Sequence, residues 1–165
     1  MKKVLIASLI LTISSAALAE GVPISGHVKT RCLITTDTNG VYGNPLPSKL
    51  STSYAEGGVV PVVRYDVTLA DSYLAKITTP SAFSESPALL DTVTWTGVTS
   101  VTKTTDAAMS AYEVDKILYD NTTQFDLTIA GSTWFSSEST AVYGGTKSFP
   151  GGIYSAIIVA ECIAK

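Results

Sequence analysis

Any chemistry in this chain has to be built from few parts, because it has one histidine, His27, and two cysteines, Cys32 and Cys162. One imidazole cannot assemble a histidine-rich zinc site. A serine activated by His27 would lack the Gly-x-Ser-x-Gly turn that presents such a nucleophile. Paired carboxylates that divide acid and base duties stand about 5–9.5 Å apart, and Asp66, Asp71, Asp115, Asp120 and Asp126 qualify by residue type alone. Tyr65-Asp66-Val67 and Phe125-Asp126-Leu127 place two of these acids at outward positions of alternating strands. The stretch from Asp115 to Asp120 lacks the alternating acidic ligands of a calcium loop. Gly144-Gly145 and Gly151-Gly152 lead into no helix that could cradle a phosphate. The residues predict no catalytic group, no cofactor and no metal, with His27 an exposed strand residue.

The cysteines have a different use. Met1-Lys2-Lys3, the apolar run Val4–Ile13 and the small residues of Ala17-Leu18-Ala19 form the pattern of a secretory signal peptide over 1–19. Its apolar part falls short of the ~20 residues that span a bilayer. The remaining 146 residues, Glu20–Lys165, suit one domain with one core. In an oxidising compartment Cys32 and Cys162 are expected to bridge. Closing a loop of that length stabilises by roughly 4–5 kcal/mol on the chain-entropy model. Without a C-x-x-C spacing the bridge reads as a staple with no redox role, holding the first and last strands side by side. Removing Lys2 and Lys3 from the 11 Lys and Arg leaves 9 against 14 Asp and Glu, a formal charge of −5. The acids are scattered and no basic run occurs, so nucleic acid is not an expected partner.

The elements that would position these residues read as strands. An apolar alternating segment stands at each end, Val22–Ile34 and Pro150–Ile163, each with one cysteine. Between them, Val63, Tyr65, Val67 and Leu69 fall on one face of a strand over 59–69, with Pro61 at its beginning or on an edge. Tyr73–Thr79 is stopped by Pro80. Asp91–Val101 changes phase at Gly97, which predicts a bulge or tight turn there. Phe125, Leu127 and Ile129 share a face of Gln124–Ala130. Turn-rich stretches cover 37–40, 43–47, 56–58 and 80–87, and 106–119 allows a helical turn or two. Short strands at such spacings, with no αβ alternation, read as an all-β, immunoglobulin-like sandwich.

Three short segments carry a resemblance. Gly43-Asn44-Pro45-Leu46-Pro47-Ser48-Lys49-Leu50, Val93-Thr94-Trp95-Thr96-Gly97 and Gly152-Ile153-Tyr154-Ser155-Ala156 occur in an order that resembles the major pilins of chaperone–usher fimbriae, most closely the alpha class of colonization-factor-antigen subunits. The cysteine pair departs from that class. The resemblance implies a sandwich lacking its last strand, completed in the fibre by the N-terminal segment of the next subunit. It assigns 20–30 as the donor segment, with Val22, Ile24, Gly26, Val28 and Thr30 facing inward, and 31–165 as the pilin domain. The acceptor groove would draw on Ile157, Val159 and Ile163 or on Tyr154, Ala156 and Ile158. It further implies identical subunits, a periplasmic chaperone, an outer-membrane usher and a tip adhesin as partners, and export through the periplasm to a surface fimbria that supports adhesion. The length leaves no room for a second, receptor-binding domain, so a shaft-forming subunit is expected. The reading left open beside it is a monomeric secreted module that binds carbohydrate through Trp95, Trp134 and Tyr143.

Overall fold

The computed structural model describes Ser25 and residues 31–105, 112–144 and 147–165. The signal peptide over 1–19, His27 and the donor positions Val22, Ile24, Gly26, Val28 and Thr30 lie outside the described residues, as does 106–111 of the helical stretch.

Ten strands are found among the described residues: β1 Cys32–Thr38, β2 Gly43–Leu46, β3 Lys49–Ser51, β4 Val62–Val67, β5 Tyr73–Thr78, β6 Val93–Thr104, β7 Ile117–Tyr119, β8 Thr122–Leu127, β9 Gly131–Tyr143 and β10 Val159–Ala164. A 3-10 turn at Tyr54–Glu56 and a single helical turn, α1 at Tyr112–Asp115, complete them. All strand pairs are antiparallel and build two sheets. In the larger sheet β6 follows one edge of β9, while β4 takes Gly131–Ser136 and β3 takes Thr140–Val142 on the other edge. Outside β4 lies β1, and outside β3 lies β2. The smaller sheet runs β10-β5-β8-β7. The chain is an all-β sandwich.

Alternation explains which faces meet. Tyr65 and Val67 of β4, Phe135 of β9, Tyr73, Ala75 and Ile77 of β5, and Phe125 and Leu127 of β8 point inward and form one buried cluster with Tyr112. Phe135 packs against Phe125 at 4.6 Å and edge-on against Tyr65 at 5.4 Å between ring centroids, so aromatic contacts tie the two layers. Asp66 and Asp126 face outward as their neighbours predicted. Asp66 meets Arg64 and Ser132 on the larger sheet, and Asp126 pairs with Lys165 on the smaller one.

Two expectations need correction. Gly97 causes no bulge, since β6 pairs β9 in unbroken register from Val93 to Val101 and the shift comes between Val101 and Lys103. Glycine is required for a different reason: a Cβ at 97 would lie 2.3 Å from Thr79 Oγ1, where the end of β5 crosses close to β6. The disulfide does form between Cys32 and Cys162, but it does not join neighbours in one sheet. It spans the edge strand of the larger sheet and the edge strand of the smaller one.

Candidate functional site: a groove between two sheet edges

The chain enters β1 at Cys32 and leaves β10 shortly after Cys162, so the bridge lies at one end of the gap between these strands. There the Cα atoms are 6.5 Å apart. Cys32, Ile34, Ala160 and Cys162 pack onto the core and fill this end. Beneath them the buried Tyr65 hydroxyl reaches the carbonyl oxygens of Lys76 on β5 (3.2 Å) and Glu161 on β10 (3.1 Å). Lys76 and Glu161, directly opposed in register, form an ion pair at 2.7 Å on the outer face.

Farther along, the two edges part. A groove of about 640 Å³ opens between the far end of β1 with its following turn and the residues that lead into β10. One wall is Thr36, Thr38 and Val41, and the other is Tyr154, Ala156, Ile157 and Ile158. Its floor comes from Leu50, Thr52, Val63 and Ser137. The inner face of β9 changes character here. Thr133 and Phe135 belong to the half covered by the smaller sheet, while Ser137 and Ser139 are small polar residues, both buried. Thr99 and Ser137 share a hydrogen bond of 3.1 Å, Thr52 Oγ1 accepts one from the Ser139 amide at 2.9 Å, and Tyr42 shares one with Ser139 Oγ at 3.3 Å. These polar groups satisfy one another, so the floor stays open without stranding a buried donor.

The second wall is held at its outer end. Ser155 exchanges backbone hydrogen bonds with Glu85, and its carbonyl also accepts from Ser84 at 2.8 Å. Tyr154 packs edge-on against Phe83 and Phe149, at 5.1 and 5.2 Å, and donates to the Pro150 carbonyl at 2.7 Å. Between this anchor and β10, Ala156–Ile158 belongs to no strand. On its side away from β5, β10 pairs with no described strand. An extended, unpaired edge beside an open groove is a template for a further strand.

Of the six acceptor residues expected, Tyr154, Ala156, Ile157 and Ile158 line the groove. Val159 and Ile163 do not. They fall with Glu161 on the outward parity of β10 and are 47% and 37% exposed. The floor residues Thr52 and Ser137 were not anticipated, since serine and threonine at such positions carry no apolar signal.

Among the described residues no Asp, Glu, Lys, Arg or His lines the groove. Its titratable groups are the phenols of Tyr42 and Tyr154, both pushed up from the ordinary value chiefly by burial and thus neutral near pH 7. Such a surface can hold an apolar or hydrogen-bonding chain but offers no acid–base pair. Among the described residues no group of three or more His, Cys, Asp or Glu converges. The acids singled out by type are dispersed: Asp71 and Asp120 sit in turns at positive φ, and Asp115 ends α1.

The three aromatic residues of the carbohydrate reading do not share a surface. Trp95 is directly opposite the buried Ala141 and packs on Phe83, and Tyr143 is buried in a stack with Phe149, both on the inner face of the sheet. Trp134 has the opposite parity on β9. It lies outside, donating to Asp37 with Lys103 and Arg64 over its ring.

Comparison with family models, with curated proteins and with solved structures found no match.

Proposed function

We propose that this chain is a structural subunit of a surface fimbria and not an enzyme: an immunoglobulin-like sandwich short of its final strand, which polymerises when the N-terminal segment of one copy fills the groove of the next. The reading is carried by one observation, the groove without charged lining among the described residues, beside Ala156–Ile158, the segment outside any strand that leads into the edge strand β10. A strand laid there would hydrogen-bond to the main chain of Ala156–Ile158, toward the start of β10, and send alternate side chains toward the floor. The alternation Val22, Ile24, Gly26, Val28 and Thr30 suits that task. The partners in this reading are identical subunits, a periplasmic chaperone that occupies the groove during export, an outer-membrane usher and a tip adhesin. The fibre stands on the cell surface and supports adhesion.

Deleting Glu20–Thr30 tests the proposal. The shortened chain is expected to form no polymers by size-exclusion chromatography and light scattering, yet to gain thermal stability when a peptide of residues 20–30 is added. A shortened chain that is equally stable with and without that peptide, or that still polymerises, contradicts the reading.

A further inference from the structure

Resting on that reading, we infer that the Cys32–Cys162 bridge fixes the identity of the donor: it shuts the groove at the end from which the chain's own N-terminal segment departs, so that only a second copy can fill it. A strand inserted between two others lies about 4.8 Å from each, so its neighbours must stand about 9.5 Å apart. At the bridge the Cα atoms of β1 and β10 are 6.5 Å apart, and no strand fits between them. The N-terminal segment is rooted at this closed end. Arg31, the residue before β1, is still paired outward beyond it: its amide donates to Thr68 Oγ1 at 3.0 Å, and its carbonyl accepts from the Thr68 amide at 3.1 Å. The chain therefore meets β1 along the line of the strand, on the side of the bridge away from the groove.

The open section begins near Thr36. To reach it, the chain's own segment would have to double back past the bridge over five residues of β1, about 16 Å at 3.3 Å per residue. That return uses Gly26 to Thr30 as tether and leaves only Val22 and Ile24 of the five inward positions for the groove. A segment from a second copy carries no such tether and can present all five. The bridge thus turns a chain that could seal itself into one that must be sealed by a neighbour.

The test compares three full-length mature proteins: the oxidised wild type, the Cys32→Ser/Cys162→Ser variant, and a bridge-intact variant with twelve Gly and Ser residues inserted between Thr30 and Arg31. Each is scored for polymer by denaturant-resistant ladders on unheated gels, and for an open groove by uptake of a labelled peptide of residues 20–30. The wild type is expected to give ladders and to take up peptide before it polymerises. The linker variant, whose bridge keeps the fold stapled, is expected to lose the ladder, refuse the peptide and run as a folded monomer. The serine variant is expected to shift the same way if it folds. A linker variant that polymerises like the wild type overturns the inference while leaving the fibre reading intact. A wild type that neither polymerises nor takes up peptide overturns the fibre reading, and the inference falls with it.

Discussion

The hydroxyl of Tyr65, fully buried on β4, lies 3.1 Å from the main-chain carbonyl oxygen of Glu161 on β10. It links the interior of the larger sheet to the edge strand of the smaller one. Removing only that oxygen, by Tyr65→Phe, keeps the ring against Phe135 and leaves the carbonyls of Lys76 and Glu161 without this donor. A cost of about 1–2 kcal/mol is expected, read as a lower urea midpoint with an unchanged slope.

The same residue sets a pH dependence. Burial pushes the Tyr65 phenol well above its ordinary value. A group whose folded pKa exceeds its unfolded value contributes stability in full below the unfolded value, about 10 for tyrosine, and loses it as pH rises. Lys76, raised by its hydrogen bond to Glu161, acts in the same direction. The urea midpoint should therefore fall from about pH 10 upward. Tyr65→Phe should make that fall shallower, as followed by intrinsic fluorescence across the alkaline range.

Reducing the bridge should be costly. It closes a loop 130 residues long between edge strands that share no hydrogen-bond ladder. The loss is expected to approach roughly 4–5 kcal/mol, measured by urea titration with and without reductant.

At Gly97 the expected outcome is local and reversible by design. Gly97→Ala pushes a methyl against Thr79, whose own Cβ would be 2.5 Å away. A destabilisation of about 1–3 kcal/mol follows. Adding Thr79→Gly should recover part of it, whereas Thr79→Ser, which keeps the Cβ, should recover little. Thermal melts of the two double variants distinguish these outcomes.

Strands with apolar alternate residues were legible: Tyr73–Thr78 came out with Tyr73, Ala75 and Ile77 inward, and Phe125 and Leu127 fell as their spacing required. The longest strand, β9, was not. Its inward positions include Thr133, Ser137 and Ser139, which give no apolar alternation, and the partners of Ser137 and Ser139, Thr99 and Thr52, come from distant segments. At Gly97 the glycine signal was real but its cause was cross-sheet crowding, which no local pattern encodes. The cysteine pair was legible as a bond, while the sheets it joins depend on topology. Likewise, parity separated Tyr154, Ala156 and Ile158 from Ile157, Val159 and Ile163, yet Ile157 also lines the groove, because it lies before β10 where the chain belongs to no strand.

Amide hydrogen exchange over Ala156–Ile163 tests the central claim most directly, with the chain lacking Glu20–Thr30 measured before and after addition of the peptide of residues 20–30. The expected result is rapid exchange at amides on the free edge in the lone chain and slow exchange once the peptide is bound. Amides already protected in the lone chain, and unchanged by the peptide, would show a sandwich that is complete without a neighbour.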